Sequence, residues 1–479
     1  MDSVQFAFAL DRYDITVHQP HPPGYFLYVM LGRVLNYFIR DANTVFVCIS
    51  ILFGGFAVVA VFYLGKELYN EKAGLVAAAI ALTSPNLWFH GEVALTYIVE
   101  AFFSTFVAYC CWRILQGDRK YVWISVVALG IAGGIRQNTM VFLLPLWFFS
   151  VKAVPKGSIL ASLLLLAVVC LFWFVPMVRM TGGWDAYRDA FRELWLFNTG
   201  NVSVFEKGWA TFRIFSASLG KFTIYGVGTG IFCLGIAVYS LVRNHRLKTL
   251  DVQKSLFFAL WILPAALFYL LIFIHPANPG YVLIFLPGLF ILTARSIEYL
   301  GSELRPFLGK NIPAVIAAII IVSNAAFFLF SRGPVSYHEI RTHDRDLSIM
   351  LADIKTFDPQ KAAIFVGPYI FYGYRQIMYY LPDYRVYQVD VRVAPSGEVR
   401  KTFWGMLRTT VLTDEIILPK SIDTFVMPLI STDRDKIAGI NGIHRNDLLP
   451  SHVSVASGNI SLISRIYPEL RIRYRNDGV

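Results

Sequence analysis

Long apolar stretches alternate with short polar loops over the first two thirds of this 479-residue chain. A helix that crosses a bilayer needs about 20 predominantly apolar residues. The pattern therefore predicts a polytopic α-helical membrane protein. The stretches long enough to cross are residues 43–65, 73–90, 92–115, 157–178, 222–242, 255–275 and 311–331.

Three shorter stretches complete the predicted set of helices. Residues 121–135 and 137–151 form one apolar run that is interrupted around Arg136, and we interpret it as a hairpin of two short spans. Residues 279–295 follow a Pro- and Gly-rich turn, which is a strong signal for a chain reversal. We therefore expect about ten spans in the sequence.

Composition supports the membrane assignment. Hydrophobic residues make up 56% of the chain and charged residues only 16%, which is far from the usage of soluble domains. All 5 cysteines lie in apolar runs, so the sequence favours neither a disulfide framework nor a cysteine-based metal site.

Lysine and arginine set the expected orientation, because they concentrate in cytoplasmic loops. Residues 1–332 carry 25 Lys and Arg against 16 Asp and Glu, and the positive loops fall on one side when ten spans alternate. We expect that side to be cytoplasmic, in a membrane that we take to be the bacterial inner membrane. The positive loops include residues 66–72, 113–120, 152–156, 243–254 and 295–310.

The opposite, external side then receives the N-terminal residues, the polar groups near Glu92 and Arg136, and the whole C-terminal region. Ten spans with an external C-terminus place the N-terminus outside as well, although no apolar segment precedes Asp2. We therefore expect one further transmembrane helix upstream of this sequence.

Residues 333–479 have scattered charges and few long apolar runs. Residues 344–357 have helical apolar spacing, and four short runs alternate as strands do. These features predict a small external α/β domain. The expected organisation is an external loop over 1–42, a transmembrane domain over 43–332 and a soluble domain over 333–479, with predicted strands at 362–367, 384–391, 415–419 and 423–429.

The first 28 residues concentrate polar groups ahead of the membrane part. Apolar residues from Val4 to Leu10 predict a short helix that lies along the interface and ends near Asp14. The three prolines between His18 and Gly24 exclude helix, so the following loop should be rigid and extended. Its imidazoles belong to His18 and His21.

Ionisable groups at membrane depth are costly, so their positions suggest function. Glu92 is expected to open a span on the external side, where the positive helix end favours a carboxylate. Arg136 lies at the apex of the short hairpin, and Gln137 follows it. For Glu92 the competing interpretation is a helix cap. For His90 and His275 it is an interfacial hydrogen bond.

An acidic residue at the start of an interfacial helix, followed about twenty residues later by a basic-Pro-Pro turn, resembles the first external loop of the C-type (GT-C) glycosyltransferases. In this sequence the motif residues are Asp2 and His21-Pro22-Pro23. Within that superfamily, the sequence resembles bacterial lipid A aminoarabinose transferases and protein O-mannosyltransferases, which form glycosyltransferase families 83 and 39. The resemblance extends to the hairpin at Arg136 and the turn before Tyr281.

The resemblance implies an inverting hexosyl- or pentosyltransferase that takes a sugar from a polyprenyl-phosphate donor to a hydroxyl of a lipid, glycan or protein acceptor. Asp2 is then the general base, with Asp14 and Glu92 as further catalytic candidates. Cations near the leaving phosphate would stabilise its charge. The donor phosphate is assigned to Arg136, His21 and Gln137, and the other site candidates are His18, His90, His275 and Tyr281.

No cofactor is assigned, and the use of a divalent metal is left open. Membrane lipids are expected partners and nucleic acid is not. Two alternatives stay open at this point. A lipid-linked sugar transporter or flippase also has many helices and intramembrane charge. A polysaccharide polymerase or ligase would also act externally on lipid-linked sugars.

Overall fold

The computed structural model describes residues 2–200, 202–244, 251–366, 374–389, 391–393, 399–401, 410–411, 415–430, 453–460 and 471–474. The chain forms two compact units. The helical unit is Pro22–Ile340, and the terminal unit combines Met1–His21 with Arg341–Val479. The first residues thus group with the C-terminal region, whereas the sequence placed them in a loop of their own over 1–42.

Helices dominate the chain up to residue 354. They are α1 (Asp2–Asp11), α2 (Phe26–Ile39), α3 (Ala42–Leu68), α4 (Glu71–Thr83), α5 (Pro85–Gly91), α6 (Tyr97–Leu115), α7 (Lys120–Ile135), α8 (Gln137–Ser150), α9 (Lys156–Met180), α10 (Trp184–Gly200), α11 (Val204–Lys207), α12 (Trp209–Val227), α13 (Gly230–Arg243), α14 (Val252–Leu271), α15 (Leu286–Leu308), α16 (Ile312–Phe330) and α17 (Tyr337–Ile354). Short 3-10 helices occur at Ile15–Val17, Val151–Ala153 and Pro279–Ile284.

The predicted polytopic helical class is confirmed. Within the described residues, 5 helices are long and apolar enough to cross a membrane, namely α3, α6, α9, α14 and α16. The number rises to 6 if the bent pair of α12 and α13 is one span. Leu160 and Phe172 of α9 are exposed, as expected for side chains that face lipid. The expected ten crossings remain a prediction.

Two of the predicted continuous helices are broken. The stretch 73–90 divides into α4 and α5, because Ser84 caps α5 by accepting a hydrogen bond from the Leu87 amide at 3.3 Å and Pro85 occupies the first helical position. The stretch 222–242 bends by 108° between α12 and α13. Gly228 provides the bend with a positive φ of 61°.

The predicted hairpin of two short helices is present. Helix α7 ends at Ile135 and α8 begins at Gln137, so that Arg136 alone separates them with extended backbone angles of −152° and 110°. This single non-helical residue divides the apolar run into two helices. The break fixes where the arginine side chain emerges.

The C-terminal part of the chain contains helix α18 (Tyr374–Tyr380) and a mostly parallel sheet. The described part of the sheet has the strand order β5-β2-β1-β7-β8, and β6 pairs separately with β9 in parallel. Each strand predicted from the sequence is found. The strands are β1 (Ala362–Val366), β2 (Arg385–Val389), β3 (Val391–Val393), β4 (Val399–Lys401), β5 (Thr410–Val411), β6 (Glu415–Leu418), β7 (Thr424–Ile430), β8 (Val453–Gly458) and β9 (Arg471–Tyr474).

The core of the terminal unit lies between this sheet and two helices. Met350 and Ile354 of α17 and Ile377 of α18 are buried against β1 residues such as Ile364. Strand β1 is buried at every position, as expected for a central parallel strand covered on both faces. The predicted small α/β domain is therefore confirmed as a fold.

Helix α1 differs from the expectation. It ends at Asp11, and its apolar side chains Val4, Phe6 and Ala9 are buried in protein. Phe8 packs edge-on against Tyr379 of α18, with ring centroids 5.6 Å apart. Protein therefore covers the side chains that were expected to face the bilayer, and the position of α1 along the membrane surface stays a prediction.

Candidate functional site

Arg136 is the charged group around which the polar residues of the helical unit gather. Its position between α7 and α8 leaves the side chain 6% exposed. A buried guanidinium is expensive unless a counter-charge and hydrogen bonds compensate it. Its surroundings therefore show what the site is built to hold.

Glu100, in the first turn of α6, supplies the counter-charge. Its Oε2 lies 3.3 Å from Nη1 of Arg136, while its Oε1 accepts a hydrogen bond from Oγ1 of Thr139 at 2.8 Å. Helices α6 and α8 are thus joined by a charge pair and a hydrogen bond in the protein interior. The pair neutralises the net charge of the site.

Aromatic rings enclose the guanidinium. Cζ of Arg136 lies 4.2 Å from the centroid of the Tyr97 ring and 5.5 Å from that of Tyr281. Tyr281 in turn contacts Tyr269 of α14, with ring centroids 5.2 Å apart. Stacking on ring faces stabilises a desolvated cation. We call Arg136, Glu100, Tyr97, Tyr269 and Tyr281 the arginine cluster.

The 3-10 helix Pro279–Ile284 brings Tyr281 to this cluster and is itself held by polar contacts. Nδ2 of Asn278 donates to the Tyr97 hydroxyl at 2.8 Å, and Nδ2 of Asn86 donates to the Pro279 carbonyl at 2.9 Å. A methyl group at Gly280 would lie 2.5 Å from the Tyr97 ring and 2.7 Å from Nε2 of His90. Only glycine permits this close approach.

His90 lies in the same contact region. It is 1% exposed, and its Nδ1 lies 2.9 Å from the Asn86 carbonyl, to which it donates because a carbonyl can only accept. The sequence allowed either a site role or an interfacial hydrogen bond for this residue. The structure places it in the interior beside Gly280 and Tyr97.

Several buried polar atoms in this region lack a hydrogen-bond partner among the described residues. They are Nη1 of Arg136, Oε2 of Glu100, Oδ1 of Asn86 and the hydroxyl of Tyr269. Buried polar atoms in folded proteins are nearly always hydrogen-bonded, so four unsatisfied ones in and beside the arginine cluster need an explanation. A polar ligand with acceptor and donor groups would satisfy them.

Gln137 opens α8 next to Arg136. Its Nε2 donates to the Pro23 carbonyl at 3.2 Å and to the Tyr187 hydroxyl of α10 at 3.3 Å. Burial raises the pKa of Tyr187, so this phenol stays protonated. Gln137 therefore ties the Pro-Pro turn to the apex of the hairpin.

Glu92 has a different position from the one predicted. It follows the C-terminal end of α5, and α6 begins only at Tyr97. Its Oε1 accepts a hydrogen bond from the Trp88 indole at 2.6 Å. The argument that a positive helix end favours this carboxylate is wrong, because the nearest helix end is a negative one.

His275 is exposed in the turn after α14, where its Nδ1 accepts a hydrogen bond from the Ala277 amide at 3.2 Å. The geometry gives it a local role in shaping the turn that precedes Pro279–Ile284.

The N-terminal candidates lie in the terminal unit. His21 is held by Gln5, whose Oε1 is 2.7 Å from its Nδ1 and 3.1 Å from its backbone nitrogen. His18 has a positive φ of 54°, and its carbonyl accepts a hydrogen bond from Nη1 of Arg375 at 2.9 Å. The loop is fixed by these contacts, as the prolines predicted.

Asp14 has a structural position. Its Oδ1 accepts hydrogen bonds from the Thr16 amide at 3.1 Å and the Thr16 hydroxyl at 2.6 Å, while its Oδ2 pairs with Arg12 at 2.7 Å. It thus caps the 3-10 helix Ile15–Val17. Asp2 is the first residue of α1, and its side chain is outside the described part of the structure.

The described residues contain no group of three His, Cys, Asp or Glu side chains that could hold a metal ion. Metal use therefore receives no support from the geometry of those residues.

Sequence reasoning identified Arg136, His90 and Tyr281 but missed Tyr97, Tyr269, Asn86 and Asn278. The missed side chains lie in apolar or turn segments with no motif of their own. One signal was available, since Glu100 is a charge inside an otherwise apolar helix and needs a partner at that depth.

Comparison with known proteins gives one family match. Residues 20–179 match the family of dolichyl-phosphate-mannose-protein mannosyltransferases. The match includes the Pro-Pro turn, the Glu92 region, Glu100 and Arg136. It covers about a third of the chain.

Among solved structures, ArnT from Cupriavidus metallidurans shares the fold over nearly the whole chain. The apo structure has a TM-score of 0.57 at 12% identity and covers 96% of this chain and 94% of ArnT. The structure of the same protein bound to undecaprenyl phosphate has a TM-score of 0.57 at 10% identity, with the same coverage. At this identity the likeness establishes the fold.

The chain therefore has the fold of a C-type membrane glycosyltransferase, and the family match agrees with that class. The resemblance to the GT-C superfamily predicted from the first loop is confirmed. The enzyme class, a glycosyltransferase embedded in a membrane, is supported by the same findings.

A curated relative of another kind matches a shorter region. The riboflavin transporter RibU of Lactococcus lactis subsp. cremoris is 29% identical over 113 residues, which are 22% of this chain and 52% of the transporter. The chain thus spans about half the length of the curated relatives it matches.

Proposed function

We propose that the protein transfers a sugar from a polyprenyl-phosphate-linked donor to a hydroxyl group of a lipid, glycan or protein acceptor on the external face of the membrane. The observation that carries this proposal is the buried Arg136, whose Nη1 lacks a hydrogen-bond acceptor among the described residues. A phosphate oxygen is the acceptor that best fits an arginine fork.

The names of the proteins with this fold support the same donor class. ArnT has been solved with undecaprenyl phosphate, and the matching family is named for dolichyl-phosphate-mannose. Both compounds join an isoprenoid chain to a phosphate. In a donor of this kind, the charged phosphate that carries the sugar would lie at the membrane boundary. The isoprenoid chain would lie among the helices.

The proposed reaction is a single displacement. The acceptor hydroxyl oxygen bonds to the anomeric carbon, the bond between that carbon and the phosphate oxygen breaks, and the configuration inverts. The hydroxyl proton passes to a carboxylate, which we assign to Asp2. The polyprenyl phosphate leaves with an additional negative charge, and Arg136 stabilises that charge.

The alternative bases already take part in local contacts. The carboxylate of Asp14 already accepts hydrogen bonds from Thr16 and pairs with Arg12, and that of Glu92 accepts from Trp88. The donor-binding roles of His21 and Gln137 remain part of the proposal.

Two roles in this scheme belong to neutral groups, one in the arginine cluster and one in the neighbouring helix α5. The Tyr269 hydroxyl and Oδ1 of Asn86 are fully buried without a partner in the described residues, so they can hydrogen-bond the sugar or the phosphate.

The test uses purified protein in liposomes with a polyprenyl phosphate that carries a radiolabelled sugar. We expect the label to appear on an added lipid, glycan or protein acceptor while free polyprenyl phosphate accumulates in equal amount. A donor that stays intact with every acceptor class, although the protein binds it, would contradict the proposed reaction.

A transporter of lipid-linked sugars is the second candidate, because RibU is similar over 113 residues. The same liposomes separate the two functions. Transport moves the intact labelled donor between leaflets without breaking the bond between sugar and phosphate, whereas the proposed reaction breaks that bond.

A further inference from the structure

The terminal unit places the N-terminal segment against helix α18. Residues Met1–His21 belong to the same compact unit as the α/β domain. Two described contacts join them to α18. Nη1 of Arg375 donates to the His18 carbonyl at 2.9 Å, and the ring of Tyr379 packs edge-on against Phe8 at 5.6 Å.

The two contacting residues lie on one face of α18. Arg375 and Tyr379 are four positions apart, so their side chains lie one turn apart along the same side of the helix. Ile377 lies between them in sequence and therefore points to the opposite side. There it joins the buried core with Ile364 of β1.

Helix α18 thus has its core face fixed on the sheet and its other face fixed on the N-terminal segment. Arg375 is 1% exposed and is among the largest fully buried side chains of the chain. Burial of a guanidinium is costly. An exposed residue could hold the segment loosely without this cost. The burial of the Arg375 guanidinium therefore indicates that the His18 carbonyl must be held accurately.

The His18 carbonyl lies where the backbone of the N-terminal segment reverses direction. His18 adopts a left-handed backbone conformation with φ of 54°, which is uncommon for a residue other than glycine. On either side of it, the Asp14 amide donates to the Gln19 carbonyl at 2.7 Å and the Gln19 amide donates to the Asp14 carbonyl at 2.9 Å. The donor from Arg375 therefore fastens the reversal that separates α1 from the loop carrying His21.

We infer that Arg375 and Tyr379 are positioning residues, through which the C-terminal α/β domain holds the N-terminal segment in its working geometry. Tyr379 orients α1, whose first residue is Asp2, and Arg375 orients the turn at His18. This inference gives the α/β domain a role in the reaction, and it rests on the proposed function of the N-terminal segment.

The test compares Arg375→Met, which keeps bulk but removes every donor, with Arg375→Lys, which keeps one donor. The matched control is Lys355→Met. Lys355 is an exposed cation directly after α17 in the same unit. Each variant of the full chain is measured for turnover, for affinity toward polyprenyl phosphate, and for hydrogen exchange.

For R375M we expect turnover to fall by roughly tenfold to a hundredfold, as small displacements of reacting groups produce, with donor affinity unchanged. Amide exchange over residues 14–21 should rise while the amides of β1 stay protected. R375K should recover part of the turnover and of the protection, and K355M should resemble the wild type. Wild-type turnover in R375M, or lost turnover with unchanged exchange over 14–21, would overturn the inference.

If R375M also exposes the amides of β1, the unit has unfolded and Tyr379→Leu decides instead. We expect that variant to increase exchange in α1 and to lower turnover, and unchanged exchange in α1 would refute the positioning role. The exchange measurements need no enzyme activity. A wild-type protein that transfers no sugar would therefore end the proposed function, while the exchange over residues 14–21 in R375M would still decide whether Arg375 holds the segment.

Discussion

Nη1 of Arg136 lies 3.3 Å from Oε2 of Glu100, yet neither atom makes a hydrogen bond within the described structure. The two groups compensate each other in charge but not in hydrogen bonding. The opposite charges make the buried pair tolerable, but its hydrogen bonding is incomplete. Our account is that the missing acceptor is the phosphate of the lipid-linked donor.

The first prediction concerns the shape of the cation. Arg136→Lys keeps the charge but loses the planar fork and its stacking on Tyr97. We expect affinity for polyprenyl phosphate to fall by about tenfold, equivalent to about 1.4 kcal/mol. Equilibrium binding of labelled polyprenyl phosphate to detergent-solubilised protein measures this.

The control is Arg113→Lys in the last turn of α6, where Arg113 pairs with Glu67 and Asp118 at the other end of the helix that carries Glu100. Its donor affinity should match the wild type. Equal affinities in R136K and the wild type would make Arg136 a structural residue.

The second prediction concerns the partner of the arginine. Glu100→Gln can keep the hydrogen bond from Thr139 but leaves the buried guanidinium without a counter-charge. Removing one member of a buried pair costs about 3–5 kcal/mol, so the melting temperature should fall. Added polyprenyl phosphate should restore more stability in this variant than in the wild type, since it supplies the lost negative charge.

Thermal unfolding followed with and without polyprenyl phosphate checks the second prediction. An uncharged polyprenol of the same length is the control ligand and should stabilise both proteins equally. If the phosphate stabilises E100Q no more than it stabilises the wild type, the phosphate does not bind beside Arg136.

The third prediction tests the approach of the 3-10 helix to the cluster. Gly280→Ala adds a methyl group 2.5 Å from the Tyr97 ring, so the ring or the turn must move. We expect overpacking to lower the free energy of unfolding by about 1–3 kcal/mol. Turnover should also fall, because Tyr281 is displaced from the cluster. Gly235→Ala in α13, where nothing lies within 4 Å, should be silent or slightly stabilising. Wild-type turnover in G280A would remove this turn from the site.

The fourth prediction is the orientation of the chain. Single cysteines at Lys72 and at Lys248, which is outside the described residues, should not react with an impermeant maleimide added to intact cells. A cysteine at Gln360, which is exposed in the α/β domain, should react. Labelling at Lys72 without labelling at Gln360 would reverse the orientation and the proposed external reaction.

The sequence predicted the fold class and the C-terminal strands, because apolar length and alternation are local signals. It also located the break at Arg136, where the charge interrupts an apolar run. It did not predict the bend at Gly228 or the division at Ser84, since apolar composition continues across both. A hydropathy pattern predicts the length of an apolar stretch but not a change in the direction of the helix axis.

The site was predictable where a charge or a turn marked it, as at Arg136 and at Tyr281, which follows a Pro- and Gly-rich turn. Arg136 and Glu100 are conspicuous in apolar surroundings, whereas Tyr97 and Tyr269 resemble the many other aromatic residues of the helices. The union of residues 1–21 with the C-terminal domain had no signal at all, because it depends on contacts more than 350 positions apart in sequence, such as that between His18 and Arg375.

The central claim is that the carboxylate of Asp2 takes the proton of the acceptor hydroxyl. Asp2→Asn keeps the shape and the capping ability of the side chain but removes its basicity. Asp11→Asn, at the exposed end of the same helix, is the matched control.

The decisive measurement is single-turnover sugar transfer by D2N, with donor affinity measured on the same preparation. We predict a rate lower by roughly two to four orders of magnitude than in the wild type and in D11N, with unchanged donor affinity. A D2N rate equal to that of the wild type would contradict the account and move the search for the base to Asp14 and Glu92.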